Sequence, residues 1–181
     1  DLEDAVMIGD IETVAQLYPT GRDINAFNLD GKTLLTVAVE SDQCDMARYL
    51  LDRYLANPRI VIGDPKTVVN GTTVLHLACA RGSESMVSLL LNYSPDLNAH
   101  NKDKATPLRV ALDHQHFTVA TLLVESGAEV DVYSAIQLGR REEAERLMKS
   151  NSKSVDAQGR SFLHWAVQSK QQDLMAWLLA Q

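Results

Sequence analysis

An alanine followed twelve residues later by a leucine recurs six times in this chain of 181 residues. The pairs are Ala5/Leu17, Ala38/Leu50, Ala78/Leu90, Ala111/Leu123, Ala135/Leu147 and Ala166/Leu178. Successive alanines are 33, 40, 33, 24 and 31 residues apart, and each stretch reads as two short helices joined by a tight turn. A helix pair this small cannot bury its apolar face alone. The spacing therefore predicts an all-α solenoid of stacked repeats.

Composition limits the function classes that remain. Hydrophobic residues make up 45% of the chain and charged residues 23%, as in a folded protein, and no apolar run approaches the roughly 20 residues of a membrane-spanning helix. The net charge of -7 disfavours nucleic-acid binding, because phosphate contacts require clustered lysine and arginine. We expect a monomer that binds another protein or peptide without membrane insertion, in the cytoplasm or, through its parent protein, at endosomes or in the nucleus.

The two cysteines, Cys44 and Cys79, occupy different offsets from their repeat alanines, six and one residues respectively. Equivalent repeats would therefore not present them to each other. We predict two reduced, buried thiols and no disulfide.

The third repeat is the clearest. Within 70–82, Thr73 is placed to cap the first helix and Gly82 to end it in a left-handed conformation. Together with Leu75, His76 and Ala78, and with the Thr-Pro-Leu run at 106–108, this pattern resembles the ankyrin repeat. The resemblance implies helix-turn-helix units with short hairpin fingers. It also implies a structural role for the histidine, which would bridge the backbones of adjacent hairpins at His76 and at its match, His164.

About six repeats follow from this spacing. Their approximate bounds are 1–27, 28–67, 68–100, 101–131, 132–155 and 156–181, within one domain that we expect to be a piece of a longer protein. The second repeat carries about seven extra residues around 56–66; we expect its second helix to extend toward Ala56 and to end at Pro58. An inserted loop like this is either functional or a tolerated neutral insertion. The fifth repeat is shortened.

The ankyrin resemblance also implies a recognition surface, made of the finger tips and the exposed side of the first helices. By position this surface includes Leu29, Asp30, Lys32, Glu40, Ser41, Val69, Asn70, Thr72, Arg81, Lys102, Asp103, Asp113, His114, Gln137, Leu138, Arg160 and Gln168. Leu29, Val69 and Leu138 are apolar at positions expected to be exposed, so they are either interface anchors or packed within their own fingers. The resemblance further implies Asn25 and Asn98 as candidate hydroxylation sites.

Three other readings stay open, of which the simplest is that the array is a passive spacer and binds no partner through Leu29, Val69 or Leu138. Asp113, His114 and His116 form the one tight cluster of chemically able side chains and would carry any catalytic or metal site, but no paired nucleophile or metal-ligand spacing accompanies them. We therefore expect no enzyme activity, no metal and no cofactor. Separately, the stretch 154–164 is similar to endosomal scaffolds of the rabankyrin type, in which ankyrin repeats precede a lipid-binding FYVE domain. That likeness implies an adaptor role in endosomal trafficking.

Overall fold

A computed structural model of the chain describes residues 1–18, 23–62, 71–150, 155 and 159–180. Over these residues the fold is all-α, with twelve helices and two isolated β-bridges. The helices are α1 (Leu2–Ile8), α2 (Ile11–Leu17), α3 (Leu34–Glu40), α4 (Cys44–Tyr54), α5 (Val74–Arg81), α6 (Glu84–Leu91), α7 (Pro107–Asp113), α8 (Phe117–Glu125), α9 (Val132–Gln137), α10 (Arg141–Ser150), α11 (Phe162–Gln168) and α12 (Gln172–Leu179). They form the six helix pairs that the alanine spacing predicts.

The chain divides into two compact units, Asp1–Gly127 and Ala128–Gln181. In the first, the odd-numbered helices α1, α3, α5 and α7 pack side by side in one row, and α4, α6 and α8 pack in a second row. The repeat alanines Ala38, Ala78 and Ala111 are fully buried between the rows, as are Leu50 and Leu90. Small side chains at the crossing let the helices approach closely.

The second compact unit contains α9 to α12. Helix α9 packs against both α10 and α11, and α11 packs against α12. Its core is centred on Trp165, which is fully buried with Ala135, Ile136 and Ala166. The ring of Tyr133 contacts the ring of Trp165, with the centroids 6.4 Å apart.

Each helix pair turns in the same way. The carbonyl of every repeat alanine accepts a hydrogen bond from the backbone amide five residues later, as in Ala38–Gln43 (2.9 Å) and Ala111–His116 (2.9 Å). The residue before that amide is left-handed in each pair, and Gly82 has φ 71°. A Cβ at Gly82 would clash with the ring of His116, so glycine is required there for space as well as for φ.

The predicted caps of the third repeat are confirmed. Thr73 precedes α5, and its amide donates to Nδ1 of His76 at 3.1 Å, in a reciprocal capping box. Gly82 closes the helix in the left-handed region as expected.

The expectation about the end of the second repeat's helix is wrong. Helix α4 stops at Tyr54 because Leu55 is left-handed (φ 55°) and Ala56 turns back, so that its amide donates to the Leu50 carbonyl; Pro58 does not set the end. Among the repeat leucines, Leu50 and Leu90 are fully buried in the row that α4 and α6 form, whereas Leu17 at the end of α2 is 49% exposed. Residues 63–66 of the insertion lie outside the described residues.

Neither cysteine forms a disulfide, as predicted. Cys79 is buried, and burial raises the pKa of its thiol to about 12. Cys44 is only half-buried, contrary to expectation, because it begins α4 at the surface end of the helix. Burial, followed by the charges of Asp42 and Asp45, raises its pKa as well.

Candidate protein-interaction surface

The finger that precedes α3 ends in a five-residue turn built on Asn28. The Asn28 amide donates to the Lys32 carbonyl (2.8 Å), and its side-chain Oδ1 accepts from the amides of Asp30 (3.0 Å) and Lys32 (2.9 Å). Gly31 completes the turn at φ 70°. At its tip Leu29 has a relative exposure of 106%, so its side chain packs against nothing in its own finger. This excludes packing within the finger, and the role of Leu29 as an interface anchor stays a prediction.

Side chains fix this finger to two helices. Asn28 Nδ2 donates to the Glu3 carboxylate on α1 at 3.0 Å. Lys32 Nζ donates to Glu40 Oε2 on α3 at 2.7 Å, in an ion pair that is about one-third exposed on each side. Lys32 and Glu40, both predicted as contact residues, therefore already neutralise each other.

The finger that precedes α7 repeats the same turn with a different tip. The Asn101 amide donates to the Ala105 carbonyl (3.0 Å), and Asn101 Oδ1 accepts from the amides of Asp103 (3.0 Å) and Ala105 (2.9 Å). Lys102 takes the place of Leu29, and Lys104 takes the left-handed place of Gly31 with φ 59°. Sequence reasoning missed both asparagines, although the Asn-x-Asp spacing at 28–30 and 101–103 could have indicated them.

The other predicted surface residues lie mostly at the surface. Arg81, Lys102, Asp103, Asp113, His114 and Gln168 are exposed, as is Asp30, whereas Ser41, Thr72, Leu138 and Arg160 are half-buried. The Arg160 guanidinium stacks over the Trp165 ring at 4.0 Å. Val69 and Asn70 lie outside the described residues.

Gln137 corrects the expected surface. Its exposure is 4%, because it ends α9 in the core, and its Nε2 meets no hydrogen-bond partner among the described residues. It cannot present its side chain to a partner in this structure.

The Asp113, His114 and His116 cluster is occupied by structural contacts. Asp113 pairs with Arg109 (3.0 Å), and Nδ1 of His114 lies 3.0 Å from the Val110 carbonyl. Nε2 of His116 lies 3.1 Å from the Ala80 carbonyl, while its ring stacks on that of His114 with centroids 6.2 Å apart. Within the described ranges no group of three His, Cys, Asp or Glu side chains could hold a metal ion.

The contact of His116 belongs to a series that sequence reasoning recognised only in part. Gln43 Nε2 donates to the Met7 carbonyl (3.0 Å), and Gln171 Nε2 donates to the Gln137 carbonyl (3.4 Å). In all three cases a side chain five residues after the repeat alanine contacts the carbonyl two residues after the preceding repeat's alanine. The two glutamines therefore have the same structural role as His116.

The two histidines at equivalent repeat positions, His76 and His164, have different surroundings. His76 is buried; Nδ1 accepts from Thr73 and Nε2 lies 3.1 Å from the Ala105 carbonyl of the next finger, as the resemblance implies. Burial lowers its pKa below the ordinary 6.5. His164 is exposed, with its ring edge-on to Trp165, so the expected bridging role is not seen for it among the described residues.

The two candidate hydroxylation sites lie in Asp-x-Asn turns. The Asn25 amide donates to Asp23 (2.9 Å), and Asn25 Oδ1 accepts from the Asn57 amide (2.9 Å) in the inserted loop. The Asn98 amide donates to Asp96 at 3.0 Å. Both asparagines have a turn role, and their modification stays a prediction.

Throughout the part of the chain that the structure describes, every helix is too short or too polar to cross a membrane.

A family model for ankyrin repeats, in three copies, matches residues 53–134. Rabankyrin-5 from Mus musculus is 32% identical over 124 residues, which cover 61% of this chain and 11% of that protein. Rabankyrin-5 from Homo sapiens is 31% identical over 127 residues with the same shares. A Caenorhabditis elegans homologue of transient receptor potential cation channel subfamily A member 1 is 29% identical over 123 residues, which cover 68% of this chain and 10% of that protein. The chain spans about a tenth of the length of these relatives.

Ankyrin repeats generally mediate protein–protein interaction, and the described helix pairs extend the same pattern on both sides of the matched segment. The recurring alanine turn, the Thr73–His76 capping box and the family-model match over residues 53–134 together show that this chain contains ankyrin repeats.

Proposed function

We propose that this chain is a non-enzymatic interaction module that binds a partner protein or peptide through its hairpin fingers and first-helix face. The observation that carries the proposal is the full exposure of Leu29 at the tip of a finger that hydrogen bonds hold in place. A fully exposed leucine adds nothing to the core. Its burial by a partner would contribute about 1.5–3 kcal/mol.

The finger is ordered before binding. The Asn28 turn, the Asn28–Glu3 hydrogen bond and the Lys32–Glu40 ion pair fix the backbone beneath Leu29. Docking therefore loses little conformational entropy, which is the main term that weakens binding by flexible loops.

Internal ion pairs also shape the selectivity of this surface. Lys32 is neutralised by Glu40, and Arg109 on α7 pairs with Asp113. These paired charges offer a partner little net attraction, so we propose that an apolar pocket on the partner receives Leu29 and that charges at the rim adjust specificity.

Crosslinking mass spectrometry on the full-length protein identifies the partner, and calorimetry then measures its affinity for matched variants. We expect Leu29→Ala to weaken binding by about 10- to 30-fold. Lys102→Ala, at the same place in the same turn, serves as the matched comparison and should change affinity by less than about threefold. Equal affinities of Leu29→Ala and the unmodified chain would exclude Leu29 as an anchor, as a passive spacer role requires.

We further propose that the parent protein is a cytoplasmic adaptor in endosomal trafficking. The similarity to the two Rabankyrin-5 sequences and the likeness of 154–164 to rabankyrin-type scaffolds support this placement. Imaging of the tagged full-length protein with an endosomal marker tests it, and a uniform cytoplasmic distribution would contradict it.

A further inference from the structure

A groove lies between the inserted loop, of which residues 56–62 are described, and the loop that follows α6. Its volume is about 470 Å³. One side is formed by Arg59, Val61 and Thr73, and the other by the loop 95–99. Because Arg59 and Val61 belong to the insertion at 56–66, the extra residues of the second repeat create one wall of this groove.

Among the described residues, the inserted loop presents unbonded backbone groups at Val61. Val61 and Thr73 form an antiparallel bridge, and the neighbouring Ile62 amide donates to the Thr72 carbonyl at 2.7 Å. Val61 and Thr73 are thus a pair without hydrogen bonds between them, so the Val61 amide and carbonyl point away from Thr73. Neither group bonds another described residue.

The same geometry sets the side chains that a bound strand would meet. Val61 and Thr73 form a directly opposed pair, so their side chains share one face of the ribbon. Arg59 precedes this pair in a turn that the Ile60 amide closes by donating to the Asn57 carbonyl (3.4 Å), and it lines the same groove. Val61 is 41% exposed, and Leu97 lies across the groove from it. This part of the groove suits an aliphatic side chain.

Arg59 places a positive charge in the groove. Its Nε donates to the Ser94 carbonyl at 2.8 Å, which fixes the guanidinium and leaves the two terminal nitrogens to bind a carboxylate. Asp96, on the opposite wall, accepts a hydrogen bond from the Asn98 amide, so its charge is already partly satisfied. The groove therefore favours an acidic over a basic ligand side chain beside Arg59.

We propose that this groove binds an extended peptide segment of a partner protein that carries an acidic and an aliphatic residue. The peptide pairs with the backbone amide and carbonyl of Val61, its carboxylate binds Arg59, and its aliphatic side chain packs on Val61 and Leu97. This gives the insertion a binding role that is separate from the Leu29 finger.

The test uses fluorescence anisotropy of the whole chain with a fluorescein-labelled peptide, Thr-Glu-Thr-Val-Thr-Thr. We expect saturable binding below about 1 mM and about tenfold weaker binding when lysine replaces the glutamate. N-methylation of the peptide backbone at the valine should also weaken binding, because it removes a strand hydrogen bond. No binding up to about 1 mM, or equal binding of the glutamate and lysine peptides, overturns the proposal.

Variants of Arg59 separate its charge from folding. Arg59→Gln should weaken binding of the glutamate peptide about tenfold, and Arg59→Glu should reverse the preference toward the lysine peptide. Arg53→Gln, an exposed arginine on α4 outside the groove, is the matched control and should leave affinity unchanged. An unfolded protein would lose affinity for both peptides, so a reversed peptide preference in Arg59→Glu cannot come from unfolding. If the Arg53→Gln control loses as much affinity as Arg59→Gln, the groove is not a specific site.

Discussion

At the residue scale, two asparagines stabilise the turns at the finger tips. Asn28 and Asn101 each use one side-chain oxygen to hold two backbone amides, and each turn closes through a left-handed residue. The turns differ in that residue, Gly31 in one and Lys104 in the other. An L-residue pays steric strain in this region that glycine avoids.

Lys104→Gly should therefore stabilise the fold. Relief of the strain is worth about 1–2 kcal/mol, and the greater freedom of glycine in the unfolded chain offsets about 0.4–1 kcal/mol. We expect a net gain of about 0.5–1 kcal/mol in the free energy of unfolding, measured by urea titration with far-UV circular dichroism. Gly31→Ala is the reciprocal variant and should lose about 1 kcal/mol or more. A lower stability for Lys104→Gly would contradict the strain argument.

At the scale of elements, His76 joins helix α5 to the next finger. Thr73 donates to Nδ1, so the neutral ring uses its Nε2 proton for the Ala105 carbonyl. A second proton on Nδ1 would face the Thr73 amide proton. The geometry and the burial thus act together to keep His76 neutral, in agreement with its lowered pKa.

The hydrogen bonds of His76 to Thr73 and Ala105 should make the free energy of unfolding depend on pH. Since the pKa of His76 is lower in the folded chain than its ordinary 6.5, the unfolded chain binds the proton first as pH falls, and stability is lost below about pH 6.5. Between pH 6.5 and 5.5 the unmodified chain should lose up to about 1 kcal/mol more than His76→Gln, measured by urea titration at each pH. The other four histidines are common to both proteins and provide the internal control. Parallel losses in the two proteins would show that His76 is not the group responsible.

The sequence predicts the elements that are determined by interactions within one helix pair. It does not predict features that are determined by packing against a neighbouring repeat. The alanine spacing and the caps at Thr73 and Gly82 act within one helix pair, so all six pairs were predictable. The end of α4 was not, because the burial of Ala56 (5% exposed) turns the chain before Pro58 can act. The candidate surface divides in the same way: full exposure of Leu29 follows from its turn, whereas burial of Gln137 depends on the packing around α9.

At the scale of the whole molecule, the chain carries 24 acidic and 17 basic side chains. Several of the basic ones are neutralised where the structure describes them, including Lys32 by Glu40, Arg109 by Asp113 and Arg141 by Glu145. Binding to a polyanion requires many unpaired cations near one another, because its free energy comes from released counterions.

We therefore expect the chain to bind a protein partner without binding nucleic acid. At about 0.15 M salt and pH 7, gel-shift titration with double-stranded DNA should show no complex at concentrations where nonspecific DNA-binding proteins, with dissociation constants of about 10⁻⁴ to 10⁻⁶ M, do. A variant with eight lysines added at one end has a net charge of +1 and tests whether the assay detects a basic segment on this same fold. A complex formed by the unmodified chain, with an affinity that falls steeply as salt rises, would mean that a local basic surface outweighs the acidic total. Its binding role would then extend beyond proteins.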